Sequence, residues 1–277
     1  MPELPEVETI ARSLRLGVEG APALPGQIIS DVTLRWPRHI AEPGPRTFRR
    51  RIQQQMILDV LRRGKYLVLP LSEGCLLIHL RMSGDLQVAR AGLPSGRFDR
   101  TVFHLHSGWE LRFSDARKFG KLALVDDPST ILGALGPDPL DDAFTADMLH
   151  QRLRAHRRAL KPLLLDQTFL AGLGNIYADE ALYSARLHPL LPSDRVSVTD
   201  ADHLWAGIRE TLQEGLRRNG SSIDWVYRGG DFQNHFRVYQ RSGEPCAECG
   251  TPIARIVLAQ RSTHFCPCCQ PEPRGVG

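Results

Sequence analysis

A chain of 277 residues with an ordinary apolar fraction can bury a full core and is long enough for two domains. Its net charge of +4, from 35 basic against 31 acidic side chains, only mildly favours a polyanionic partner, so any basic surface must come from local clustering. No apolar run approaches a membrane span, and Glu3, Glu6 and Glu8 replace the basic start of a secretory signal; neither a membrane partner nor export is expected, and the expected location is cytoplasmic.

Residues 2–18 read as a helix, because Leu4, Val7, Ile10, Leu14 and Val18 recur on one face. Gly17, Gly20 and Pro22 end it. From about 27 to 125 the pattern becomes short strands: QIISDVTLRW, KYLVLPL, CLLIHL, RTVFHLHS, WELRFSD and KLALVDD. TVFHLH alternates like a half-buried strand, whereas CLLIHL reads as buried on both faces. Strands at this spacing predict a β-sandwich or barrel. DDPSTILGALGPDPLDD, rich in Pro, Gly and Asp, is a candidate linker. Residues 145–219 look helical, and NGSSIDWVYRGGDFQN after them reads as a glycine-rich loop.

Five of the six cysteines lie in the C-terminal segment 236–269. CAEC and CPCC supply Cys246, Cys249, Cys266 and Cys269, with two residues inside each pair and sixteen between the pairs. Four soft thiolates at this spacing predict one tetrahedral Zn²⁺, and four protein ligands leave no open position, so the metal is structural. Cys268 competes with Cys269 for the fourth place; C-x2-C spacing favours Cys269. Cys75, in an apolar strand, reads as a small buried hydrophobe. Arg261 lies near the turn of the hairpin between the pairs, where its fork suits phosphate or simply faces solvent.

LAGLGNIYADE places Gly172, Gly174 and Asn175 at a helix start, where backbone amides point at anions. Asn175 either caps that helix or bonds a phosphate, and Lys161 in RRALKP would serve the same anion. The N-terminus carries two readings as well. Proline followed by acidic residues is ordinary helix-start chemistry. Removal of Met1 before the small Pro2 would instead leave a secondary amine, titrating near neutrality at about 7.7–8.0 like other α-amino groups. Such an amine forms an iminium with a sugar carbon directly.

Taken together, PELPEVET, RRGKYL, IHLRMSG, RKFG, LGPDPL, GLGNIYADE, VYQRSGEPC, CGTPI and AQRSTHFCPCC closely resemble the bacterial formamidopyrimidine-DNA glycosylase family. The matches run from residue 2 to about 270. The resemblance implies an α+β multidomain fold. A catalytic N-terminal helix and β-sandwich would span 1–128, a hinge linker 129–143, and a helix–two-turn–helix domain with a lesion-capping loop 144–235. A zinc-finger hairpin would follow over 236–270 and a tail over 271–277.

It also implies roles. Pro2 would attack C1′ of the damaged nucleotide, Glu3 would be the general acid, and Glu6 would support the lesion pocket. Lys65 and Arg261 would join the catalytic set through the phosphates they hold, with His79 and Asn175 gripping the kinked backbone. Met82, Arg117 and Phe119 would fill the gap left by the extruded base, and Arg117 would read the orphaned cytosine. The implied partner is double-stranded DNA bearing 8-oxoguanine or ring-opened purines, the location is the nucleoid, and the enzyme is a monomer. The sequence departs from the pattern at Cys268, at the tail PEPRGVG, and at Asp224, where the family tends to be basic. Two alternatives carry other functions: an endonuclease VIII-type glycosylase for oxidised pyrimidines, against which Leu4 speaks, and a non-catalytic zinc-finger protein for damaged DNA.

Overall fold

The structure is a computed structural model that describes residues 1–222 and 229–272. The chain divides into two compact units, Met1–Ala134 with Ser221–Gly230, and Leu135–Gly220 with Asp231–Gly277. The expected linker over 129–143 thus straddles the division. The loop after the helical region also belongs in part with the first unit.

In the first unit, helix α1 (Leu4–Leu16) buries Leu4, Val7, Ile10, Ala11 and Leu14. It is shorter than the 2–18 expected from periodicity. Glu3 is the N-cap in extended conformation, Pro2 lies outside the helix, and Gly17 at φ 76 ends it. A side chain at Gly17 would meet the backbone of Ala23 at 2.8 Å. Strands β1 (Ile29–Leu34), β2 (Ile40–Glu42), β3 (Leu61–Arg63), β4 (Tyr66–Pro70) and β5 (Cys75–His79) follow, with helix α2 (Pro45–Ile52) between β2 and β3. Strands β6 (Gly84–Arg90), β7 (Asp99–Leu105), β8 (Trp109–Asp115), β9 (Lys121–Val125) and helix α3 (Ser129–Leu132) complete the unit.

Among the described residues these strands form two sheets, ordered β1-β7-β8-β6 and β2-β9-β5-β4-β3. Ile29, Leu86, Phe103 and Phe113 of the first sheet and Leu67, Leu69, Leu76 and Ile78 of the second share one core with Val7, Ile10 and Leu14 of α1. The β-sandwich expectation therefore holds. CLLIHL is buried at every position of β5 because its far face, Cys75 and Leu77, meets Val68, Ala123, Val125 and the α3 residues Ile131 and Leu132.

The second unit holds helices α4 (Ala146–Arg154), α5 (Leu160–Leu164), α6 (Asn175–Ser184) and α7 (Val198–Arg217), then the hairpin β10 (Ala254–Leu258) and β11 (Arg261–Phe265). Thr145 caps α4, and Ser197 with Asp200 forms a capping box on α7. Helix α6 is buried on all sides from Ile176 to Tyr183, so it serves as the axis on which the other elements pack.

Candidate functional site

The start of α1 is built around one carboxylate. Glu3 and Glu6 form a capping box in which each side chain accepts the other's backbone N–H, the Glu3 N–H reaching Glu6 Oε2 at 2.8 Å. The second oxygen of Glu6, Oε1, accepts the Ser221 N–H at 2.7 Å and its hydroxyl at 3.2 Å. Pro2, Glu3 and Glu6 are all buried. Further along α1, Glu8 receives Arg62 Nε at 2.9 Å, and Arg62 also donates to the Gly64 carbonyl at 3.2 Å. Gly64 (φ 56) and Lys65 form the two-residue turn between β3 and β4. Helix α1 therefore fixes both Pro2–Glu3 and the turn that carries Lys65.

His79 ends β5 directly opposite Tyr66, with the two rings edge to face at 4.7 Å. Burial pushes the His79 imidazole down to about 3, and the charges of Arg81 and Lys65 push the same way, so it is neutral at physiological pH. The Arg81 N–H donates to Nδ1 at 3.0 Å, which leaves the ring proton on Nε2 as a donor. A neutral donor of this kind suits a phosphate oxygen without needing a second charge.

Met82 lies half-buried between β5 and β6, and Arg117 and Phe119 lie exposed between β8 and β9. Phe119 is 50% exposed, unusual for an aromatic ring, and the Arg117 guanidinium stacks on it at 5.1 Å.

In the second unit, Gly174 caps α6, so Asn175 is its first residue and not its cap. Asn175 Nδ2 donates to the Ser262 carbonyl at 3.0 Å. Ser262 follows Arg261, which is exposed beside a hairpin turn whose residues Ala259 and Gln260 both have positive φ. Asn175 and Arg261 are thus brought to one place. Lys161 corrects the sequence reading. It is fully buried, its Nζ is 2.7 Å from Asp179 Oδ1, and it donates to the Ser262 carbonyl at 2.7 Å. Its ammonium is spent on holding the hairpin to α6 and is not presented to a ligand. Asp179 completes this tie by accepting the His264 N–H at 3.0 Å. Periodicity gives no sign of such partners, because Lys161 and Ser262 are far apart in sequence.

The four thiol groups of Cys246, Cys249, Cys266 and Cys269 lie within 4.8 Å of one another. Sulfur separations of 3.4 Å for Cys249–Cys266, 3.6 Å for Cys249–Cys269 and 3.9 Å for Cys246–Cys269 match the edge of about 3.8 Å that a tetrahedron of Zn–S bonds requires. The donor set fits one structural Zn²⁺. The Tyr183 hydroxyl lies 3.2 Å from Cys246 Sγ, an outer-shell partner on α6. Cys268 is exposed and outside the cluster, and Cys75 is buried. Asp224 and its neighbours in the expected capping loop lie outside the described residues.

Residues 1–122 match the formamidopyrimidine-DNA glycosylase N-terminal domain, residues 135–226 its H2TH domain, and residues 243–271 a zinc finger found in FPG and IleRS. The formamidopyrimidine-DNA glycosylase of Chloroflexus aurantiacus is 46% identical over 280 residues, covering 98% of each chain. A Lactococcus lactis FPG complex with FAPY-dG containing DNA superposes with a TM-score of 0.89 at 34% identity, over 98% of this chain and 100% of that one. A MutM complex with carbocyclic 8-oxo-G containing DNA gives a TM-score of 0.89 at 35% identity with the same coverage. The chain belongs to the formamidopyrimidine-DNA glycosylase family.

Proposed function

We propose that this chain excises 8-oxoguanine and formamidopyrimidines from duplex DNA and then cleaves the strand at the resulting abasic site. Family membership and the DNA lesions held by its relatives support the reading. The observation that carries the chemistry is the construction of the α1 start, where the Glu3–Glu6 box and Ser221 hold Pro2 and Glu3 in a fixed, buried position.

With Met1 removed, the Pro2 nitrogen attacks C1′ while Glu3 protonates the opening sugar ring, and the damaged base departs. The iminium acidifies the C2′ proton. Its loss expels the 3′ phosphate, and a second elimination expels the 5′ phosphate before water releases the sugar fragment. Lys65 and the Nε2–H of His79 grip phosphates on the first unit, and Asn175 and Arg261 on the second. Met82, Arg117 and Phe119 fill the vacated stack, offsetting an extrusion cost of about a few kcal/mol. Zn²⁺ supplies structural tethering of the hairpin. Among the described residues no helix is long and apolar enough to cross a membrane, and a DNA substrate points to the cytoplasmic nucleoid. We read the enzyme as a monomer.

Borohydride trapping tests the reading. An 8-oxoguanine–cytosine duplex is expected to yield a covalent protein–DNA adduct, and a thymine glycol duplex much less. Preference for thymine glycol would favour the endonuclease VIII alternative. No adduct with either would favour a non-catalytic DNA binder.

A further inference from the structure

The segments that carry Met82 and Arg117–Phe119 are separate in sequence, yet one buried side chain joins them. Asp115, the last residue of β8, has no exposed surface. Its Oδ1 accepts the Ser83 hydroxyl and the Arg117 N–H, the latter at 3.1 Å. Its Oδ2 accepts the Gly120 N–H at 2.7 Å and lies 3.3 Å from Nε2 of the fully buried His39. Ser83 closes the link directly, because its Oγ also accepts the Arg117 N–H at 2.9 Å. One carboxylate thus holds the residue after Met82, the backbone of Arg117 and the residue after Phe119.

Apolar packing repeats the same connection. Gly84 and Gly120 flank the two segments, and both face the ring of Phe113. A Cβ at Gly84 would fall 2.8 Å from that ring and 2.5 Å from the Leu80 carbonyl. A Cβ at Gly120 would fall 2.4 Å from the ring. The β6–β8 register sets Gly84 opposite Asp115, which brings the Met82 segment back over the carboxylate. Burial by itself would raise the Asp115 carboxyl, but the nearby His39 imidazole and the bonds from Ser83 and Gly120 outweigh it and hold the group down at about 2.

We propose that Asp115, with Ser83, is a positioning residue that locks the Met82 and Arg117–Phe119 segments into a single wedge, so that base extrusion depends on it more than elimination does. This rests on the reading of those three residues as the wedge. Two loops that moved independently would each lose conformational freedom on entering the stack. A brace already formed in the free protein removes that cost from the extrusion step.

The test compares two substrates and one signal. Asp115→Asn and Ser83→Ala are assayed under single-turnover conditions on an 8-oxoguanine duplex and on a preformed abasic-site duplex, with 2-aminopurine beside the lesion reporting unstacking. Asp115→Asn is expected to slow 8-oxoguanine excision roughly 10- to 100-fold and to diminish the 2-aminopurine signal, while abasic-site cleavage changes by less than about threefold. Ser83→Ala is expected to show the same pattern at smaller amplitude. Equal loss on both substrates, or an unchanged 2-aminopurine signal, overturns the proposal. If Asp115→Asn does not fold, Ser83→Ala decides by the same two criteria. Met82→Ala and Phe119→Ala separate the two levels: if they leave the 2-aminopurine signal intact, the wedge reading fails, and if they abolish it while Ser83→Ala does not, only the brace fails.

Discussion

Glu6 Oε1 accepts the Ser221 N–H at 2.7 Å while Glu6 Oε2 accepts the Glu3 N–H at 2.8 Å. One buried carboxylate therefore ties the residue beside Pro2 to Ser221, and the neighbouring Ser222 hydroxyl bonds both the carbonyl and the N–H of Gly230. Glutamine at position 6 would present an N–H₂ group to one of two N–H donors. Glu6→Gln is expected to destabilise the first unit by about 1–3 kcal/mol and to slow 8-oxoguanine excision. Urea unfolding and single-turnover kinetics measure the two effects.

Mass spectrometry of the protein produced in a bacterial host is expected to find Met1 absent. While Met1 is present the Pro2 nitrogen is a tertiary amide and has no nucleophilic lone pair. A version with an uncleaved N-terminal extension is expected to bind lesion duplex yet give no borohydride adduct. An adduct from the extended protein would place the nucleophile elsewhere.

His79 makes the first unit acid-sensitive. Its ordinary value near 6.5 applies when unfolded, and burial followed by repulsion from Arg81 and Lys65 lowers it to about 3 when folded. Below pH 6.5 the unfolded state binds a proton that the folded state does not. The stability contribution is therefore complete above about pH 6.5 and declines as pH falls toward 3. Replacing His79 with glutamine is expected to flatten that part of the stability curve, as followed by thermal unfolding across the range.

Lys161 and Arg261 should separate cleanly in DNA-binding titrations. Arg261→Ala is expected to weaken binding to all duplexes and to lower the slope of log affinity against log salt by about one unit. Lys161→Ala instead strands the buried Asp179 carboxylate and is expected to cost about 3–5 kcal/mol of stability in the second unit. Lys161→Met combined with Asp179→Leu is expected to recover part of that stability. Lys161 variants that fold normally but lose a unit of salt slope would restore the phosphate role that burial argues against.

Chelation of zinc is expected to weaken DNA binding more than it unfolds the first unit. The four thiolates hold the base of the hairpin that carries Arg261, whereas the sandwich core lies entirely in the first unit. Hydrogen exchange resolved by segment would show loss of protection over 236–270 first. Simultaneous loss over β1–β9 would contradict this.

Much of the fold and of the zinc centre is legible in the sequence, for reasons that differ by residue. The cysteines were legible because metal ligation demands a fixed spacing within each C-x2-C turn. α1 was legible because one face must repeat every 3.6 residues, although periodicity alone could not see that Glu3 caps the helix and Pro2 stands outside it. The strand at CLLIHL was legible because both faces are covered. Lys161 misled, since a lysine beside arginines looks like surface until its partner Asp179 is known. Asp115, Ser83 and Ser221 left no signal, because each acts by hydrogen bonds to residues distant in the chain.

The sequence by itself determined the local grammar of this protein: which stretches form helices and strands and which thiols meet a metal. It did so because those properties depend on neighbours a few residues apart. Only the tertiary structure decided which charges are spent internally and which face outward. Lys161 is consumed by Asp179 and Ser262, Glu6 by Glu3 and Ser221, and Asp115 by Ser83, Arg117 and Gly120, while the side chains of Arg117, Phe119 and Arg261 remain exposed. Burial and pairing are properties of the folded chain, and a buried charge persists only where distant residues supply its partners.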